Sequence, residues 1–226
     1  MTERPRGLVI AVDGPSGAGK STAGKALADR LGYVFLDTGA MYRAVGLKAL
    51  RAGVPTDDGE ALARLAREVA IELTDGGRRV LLDGEDVTAA IRTREVSAMA
   101  SSVSRHPGVR REMVARQQQM GRGGGVVLDG RDIGTAVFPD ADVKFFVDAD
   151  PRRRAQRRLE ELRATGVDAD LDGIESEIVA RDHADSTRAD SPLTRAPDAV
   201  LLDTTGLEVE AVVEAMLQVV RARLSG

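Results

Sequence analysis

Gly14-Pro15-Ser16-Gly17-Ala18-Gly19-Lys20-Ser21 stands between the apolar run Leu8-Val9-Ile10-Ala11-Val12 and a helical stretch from Thr22 to Leu31. The segment satisfies the pattern G-x-x-x-x-G-K-[ST], and the order strand, glycine-rich loop, helix is the context in which that pattern has a mechanism. Glycines let the main chain turn tightly around a polyphosphate, exposed N–H groups and a helix N-terminus favour its negative charge, and Lys20 adds a cation. Ser21 is then placed to ligate Mg²⁺. An ordinary glycine turn ahead of a helix does not account for four constrained positions in this frame, so the segment is read as a nucleoside triphosphate site.

The rest of the composition narrows the class. A chain of 226 residues fits one domain with an inserted or appended subdomain better than two independent domains. The net charge of −4, from 32 basic and 36 acidic residues, argues against a protein that coats nucleic acid or an anionic membrane. Tryptophan is absent and aromatics are few, so a stacking platform for single strands is poorly supported. With no cysteine there are no disulfides, thiolate metal sites or cysteine nucleophiles, in keeping with a reducing compartment. No apolar run approaches the ~20 residues of a membrane span, and Met1 to Gly7 is polar and too short for a secretory signal. The expectation is a soluble cytoplasmic protein, monomeric, with neither membrane nor nucleic acid as partner.

The pattern then alternates. Tyr33 to Leu36 reads as a strand broken at Asp37-Thr38-Gly39 before a helix near Ala40, Pro55 to Gly59 as a linker, and Glu60 to Ala70 as an amphipathic helix. Ile71 to Thr74 and Arg79 to Leu82, with turns at Asp75-Gly76-Gly77 and at Asp83 to Asp86, read as a small antiparallel meander inserted into a parallel α/β core. Helices follow from Glu95 to Val103 and from Pro107 to Met120, the latter with proline in its first turn. Val126 to Leu128 and Val143 to Val147 read as core strands that end in Asp129 and Asp148, where ligands gather in doubly wound sheets. Pro151 to Thr165, Ile174 to Ser186 and Glu208 to Leu224 read as helices, with a last strand at Val200 to Leu202.

Asp129, directly after a buried strand, can hold the water shell of Mg²⁺ opposite Ser21, or simply serve the turn. Arg43, Arg110, Arg131, Arg181 and Arg188 are individually ordinary surface arginines whose meaning depends on convergence. Arg152 to Arg154 with Arg157 and Arg158 crowd positive charge at a helix start, which is unfavourable unless an anion offsets it. A lid over phosphates would do so; a nucleic-acid patch is limited by Glu160-Glu161. His106 and His183 lack metal-ligand spacing, and Met99, Met113 and Met120 read as core filling.

Taken together, the motifs resemble those of bacterial cytidylate kinases, nucleoside monophosphate kinases, over nearly the whole chain. The resemblance is carried by Asp13 to Lys20, Leu36-Asp37-Thr38-Gly39-Ala40-Met41-Tyr42-Arg43, Gly84-Glu85-Asp86-Val87 with Ile91-Arg92-Thr93, Asp129-Gly130-Arg131-Asp132-Ile133-Gly134-Thr135, and Phe138-Pro139-Asp140-Ala141. It implies a single α/β P-loop domain with a parallel sheet flanked by helices, a monophosphate-binding insertion at about 60–103 that contains the meander, and a short lid at about 150–170. It further implies Mg²⁺-dependent transfer of the γ-phosphoryl of ATP to CMP or dCMP. By the family pattern, Gly14 to Thr22 hold ATP together with the lid residues Arg154 and Arg158, with Arg157 a further lid arginine. Lys20, Asp129, Arg131 and Arg188 serve catalysis, and Ser21 and Asp129 the metal. Arg43, Arg131 and Arg188 look like phosphate ligands, and Ser101, Arg110 and Asp132 like readers of the cytosine edge. Arg181 and Asp185 look like sugar or phosphate contacts, and Tyr42 like a further acceptor contact. Thr38 stands where relatives carry serine, so its hydroxyl is kept with an added methyl. Two rivals remain: a P-loop kinase for another monophosphate or small metabolite, and a nucleic-acid-coupled switch that only hydrolyses ATP.

Overall fold

The computed structural model describes residues 7–164 and 166–225; the polar segment before Gly7 and Thr165 lie outside the described residues. Its centre is β1 (Val9–Asp13), every residue of which is buried. The strand is apolar on both faces, as a parallel strand covered by helices on both sides must be. Among the described residues, β2 (Val34–Asp37), β6 (Val126–Gly130), β1, β7 (Val143–Asp148) and β8 (Val200–Asp203) make one parallel sheet in the order β2-β6-β1-β7-β8. Because β1 has β6 on one side and β7 on the other, the strand order reverses at β1, and the crevice at its carboxyl end is the natural ligand position.

Alternation along the strands assigns the two faces. Ile10, Val12, Phe35, Val127, Phe145 and Val147 pack against α1 (Lys20–Leu31) and α8 (Val209–Leu224) through Leu27, Val213 and Met216. Val9, Ala11, Leu36, Val126 and Leu128 face the other way, toward Ile133, Val137 and Phe138.

Several boundaries differ from the pattern reading, each because a cap acts before the apolar period begins. Asp37 accepts a hydrogen bond from Ala40 N at 2.8 Å and starts α2 at once (Thr38–Ala52), so the expected break is the first turn of a helix. Asp58 caps α3 (Gly59–Glu68) through Ala61 N at 2.9 Å. The meander is present as β3 (Ile71–Thr74), β4 (Arg79–Leu82) and β5 (Glu85–Asp86), the last falling where only a turn was expected. α4 (Arg94–Val103) and α5 (Pro107–Gly121) follow. After β6, residues Ile133–Val137 make one wide helical turn closed by Phe138 N on Ile133 O at 2.7 Å, which no periodicity announced.

Residues 60–103 do not close a core of their own. Leu62, Leu65, Ile71, Leu82, Val96 and Met99 bury themselves with Met41 and Val45 of α2 and Val109 and Met113 of α5 in one cluster. In contrast, α6 (Pro151–Ala164) and α7 (Leu171–Thr187) share a small cluster of Ala155, Leu159, Ile174 and Ile178.

Leu62 is fully buried at the centre of the α2–α5 cluster. Leu62→Ala is expected to lower unfolding stability by about 2–5 kcal/mol, the range for a buried leucine that leaves a cavity. Urea denaturation checks this, and a loss under about 1 kcal/mol would mean that the cluster is loosely packed.

Candidate active site

Gly14 has φ +145°, and a Cβ there would lie 1.9 Å from Val147 O, so only glycine lets the loop leave β1 this close to β7. The loop delivers Gly19 in the left-handed region as the cap of α1, without any side chain bonded to the first turn's N–H groups. Those donors are left for an anion. Lys20 is buried, with Nζ donating to Pro15 O at 2.7 Å and lying 4.0 Å from Asp129 Oδ1. Ser21 donates its hydroxyl to Asp129 Oδ2, and Thr38 donates to the Asp129 carbonyl at 2.7 Å. Thr22 is exposed on the first turn of α1.

From this loop one cleft runs between α4 and α7, lined by six cationic side chains against four carboxylates. At the loop end stand Arg43, Arg131 and Arg181. Arg43 pairs with Asp37 at 2.8 Å, and Arg131 donates through Nε to Asp185 at 3.0 Å. Arg181 and Asp185, four residues apart, share one face of α7. The Nε atoms of Arg43 and Arg181 are buried with no partner among the described residues, as expected of groups kept for an anionic ligand. Burial, then the nearby Arg131 charge, pulls the Lys20 ammonium down to about 7, against Asp129. The same two causes bring Arg181 down to about 10. Asp129 is pushed upward by burial, with Lys20 opposing.

The far end is built differently. Arg110 is buried and pairs through Nη2 with Asp132, while its Nε lies 3.6 Å from Asp190. Arg188 also belongs here: Nη2 is 3.5 Å from Asp132 Oδ1, and Nε donates to Ser191 O at 2.6 Å. It therefore sits with Arg110 and Asp132, whereas the family pattern groups it with the phosphate ligands. Tyr42 and Ser101 line the cleft, and the Tyr42 phenol is pushed up to about 12 by burial, with the Arg110 charge opposing.

The three lid arginines separate. Arg154 is buried, its Nε on Ala149 O at 2.8 Å, Nη1 on Ser16 O at 3.2 Å and Nη2 on Asp182 at 2.6 Å, so it ties α6 to the loop and to α7. Arg157 donates to Thr204 O at 2.7 Å, and its Nη1 would be 3.7 Å from a Cβ on Gly19. Arg158 pairs instead with exposed Glu161 at 2.9 Å and does not line the cleft. An arginine-rich helix does not reveal its register, so the run of arginines alone does not tell Arg157 from Arg158. Asp13, Asp37 and Asp190 were not singled out at all. For the first two a signal existed, since each is an acid that ends a strand, the rule that found Asp129.

Among the described residues no group of three His, Cys, Asp or Glu side chains forms a metal cage. The hard oxygens of Ser21 and Asp129 suit a cation that keeps most of its waters and leans on ligand phosphates, which is how Mg²⁺ binds.

The cytidylate kinase family model matches residues 10–222. A cytidylate kinase of Syntrophotalea carbinolica is 54% identical over 220 residues, covering 96% of this chain and 94% of the relative. That of Symbiobacterium thermophilum is 52% identical over 221 residues, covering 96% and 98%. That of Geobacillus kaustophilus is 51% identical over 221 residues, covering 97% and 99%. Among solved structures, an uncharacterized protein from Eubacterium ventriosum has TM-score 0.51 at 9% identity over 95% of this chain and 98% of its own, a likeness of fold alone.

With its ammonium at about 7 among the protein's own groups, Lys20 is largely neutral at pH 8. A polyphosphate beside it favours the charged form and raises that value, so binding takes up a proton. Titration of metal-free ATP at pH 8 in buffers of different ionisation enthalpy is expected to give an uptake between about 0.5 and 1 proton. Zero uptake, or release, would contradict the electrostatic picture.

Proposed function

The chain belongs to the cytidylate kinase family, and we propose that this cleft transfers the γ-phosphoryl of ATP to CMP or dCMP between its two ends. The observation that carries the assignment is the continuity of the cleft, which has the glycine loop with Lys20 at one end and the Arg110–Asp132 pair at the other. Arg43, Arg131 and Arg181 stand beside Lys20 at the loop end, where two phosphates would meet.

Phosphoryl transfer needs in-line placement and neutralisation of charge spreading over the moving group, more than it needs a base. The acceptor oxygen belongs to a phosphate whose second ionisation, near ~6, leaves it mostly anionic at neutral pH. That removes any requirement for histidine or cysteine. The main-chain N–H groups of Ser16 to Thr22 hold the ATP phosphates, and Lys20 stabilises charge on the transferring group. Arg131 and Arg181 hold the acceptor phosphate with Arg43, and Asp185 orients Arg131. Ser21 and Asp129 would hold Mg²⁺, which when bound neutralises the donor phosphates. Thr38 fixes the Asp129 main chain.

Cytosine offers an exocyclic amine that donates, beside ring atoms that accept. Arg110 donates and Asp132 accepts, so the pair matches that edge, with Ser101 and Tyr42 beside it. Arg188 supports the pair from the other side of Asp132. Uracil turns a carbonyl toward the carboxylate and is rejected, because a site built for a hydrogen bond suffers when the partner is missing. We assign the monophosphate-binding role to the meander with α3 and α4, and the lid to the α6–α7 hairpin, whose closure excludes water from ATP.

The decisive assay offers CMP, dCMP, UMP, AMP and GMP separately with ATP and Mg²⁺ and identifies the product by mass. CDP and dCDP formed fastest are expected. ADP without a diphosphate product would instead support the nucleic-acid-coupled switch, and another acceptor the related-kinase reading. Lys20→Ala is expected to lower kcat by at least ~10²-fold, as for loss of one strong electrostatic stabiliser; wild-type turnover would remove Lys20 from the mechanism. Asp132→Ala should chiefly erode the CMP/UMP preference, and an unchanged ratio would count against base reading by Asp132.

A further inference from the structure

Asp13 ends β1 one residue before the glycine loop, yet its side chain serves the opposite half of the site. It is 4% exposed, and its two carboxylate oxygens accept from Ile133 N at 2.8 Å and Gly134 N at 2.7 Å. Those are the first amides of the wide turn Ile133–Val137, donors that have no partner within the turn. An aspartate in the capping position ordinarily satisfies them itself. Here the capping residue is Asp132, and its side chain makes no capping bond. Its carboxylate is directed instead to Arg110 and Arg188.

We propose that Asp13 is a positioning residue for acceptor recognition: by capping the turn from across the sheet, it releases the Asp132 carboxylate to face the base of the acceptor. The proposal rests on the reading of Asp132 as a base contact. Parallel pairing of β1 with β6 sets Asp13 opposite Gly130, so the carboxylate reaches exactly the amides that follow Arg131 and Asp132 in the chain. Fixing those amides fixes the exit of the chain from β6, which sends Arg131 toward Asp185 and Asp132 toward Arg110. The approach is tight, since a Cβ on Gly134 would lie 3.4 Å from Asp13 Oδ2 and 3.0 Å from Lys144 Cδ. Burial pushes the Asp13 carboxyl up to about 7 against the pull of its two amide bonds, so the position is costly for an acid. A purely structural cap would not need one, because a neutral side chain could accept from one amide at less desolvation cost. Without Asp13, the nearest carboxylate able to cap the turn is that of Asp132, and in doing so it leaves Arg110.

The test is a double-mutant cycle of Asp13→Asn and Asp132→Ala, read by the KM for CMP, the KM for ATP and the CMP/UMP preference. An asparagine can accept from one amide but turns an N–H₂ toward the other. The expected result is a KM for CMP raised about ten-fold or more, the scale for losing a buried charged hydrogen bond. The CMP/UMP preference should fall with it, while the KM for ATP stays within about two-fold. In the Asp132→Ala background the same change should add little, because the carboxylate it misplaces is already gone. Multiplicative effects of the two substitutions, or a rise in the KM for ATP with CMP discrimination kept, would overturn the proposal. Should the asparagine variant fail to fold, Asp13→Ser, smaller and uncharged, carries the same cycle and the same criteria. Loss of the base-reading assignment itself would be seen separately, as an Asp132→Ala enzyme with unchanged CMP/UMP preference.

Discussion

Positive charge gathered where water is scarce is the constraint on which this molecule is built. Lys20, Arg43, Arg131 and Arg181 share one end of a cleft whose carboxylates are already engaged, Asp37 by Arg43, Asp129 by Ser21 and Asp185 by Arg131. Burial first, and then like charges at such range, make Lys20 and Arg181 hold their protons less firmly than free side chains do. Such a concentration of cations favours an anionic ligand, and phosphates would complement it. The parallel sheet makes this tolerable, because its rigid strand ends fix Asp37 and Asp129 at paired positions on neighbouring strands. Preorganised charge of this kind need not rearrange as the reaction proceeds.

The division of labour along the cleft follows from which helix carries each group. α2 and the end of β6 bring Arg43 and Arg131 to the phosphate end, and α7 carries Arg181 and Asp185 on one face. Arg110 comes from the first turn of α5, and Arg188 from the residue just past α7, so the base end is assembled from segments far apart in the chain. Shifting one helix by a turn would leave a carboxylate or a guanidinium alone in a buried place, at a cost of several kcal/mol.

Much of this was legible in the residues. Gly14 to Ser21 fixed the first strand, loop and helix, and the even spacing of turn residues exposed the meander. The strand-ending acids found Asp129, though the same rule left Asp13 and Asp37 unremarked. What could not be read was anything decided by convergence. Arg110 looks like any helix-surface arginine until α5 packs against the turn after β6 and buries it. The wide turn Ile133–Val137 has no periodic signature, since five residues complete only one turn and a period shows only when it repeats. Arg157 and Arg158 are indistinguishable in a run of arginines, and only the rotation of α6 against the loop places one beside Gly19 and the other beside Glu161.

The small cluster of Ala155, Leu159, Ile174 and Ile178 gives the α6–α7 hairpin a core that does not borrow from the sheet. Swinging such an arm as a unit exposes little apolar surface; what must break are polar ties to the rest of the chain, among them Arg94 to Glu177 and Arg154 to Ser16. The exposed tie of Arg94 to Glu177 weakens with ionic strength, while the more buried tie of Arg154 is screened far less. Dissolved salt thus bears unevenly on the arm, loosening its outer attachment before its inner one.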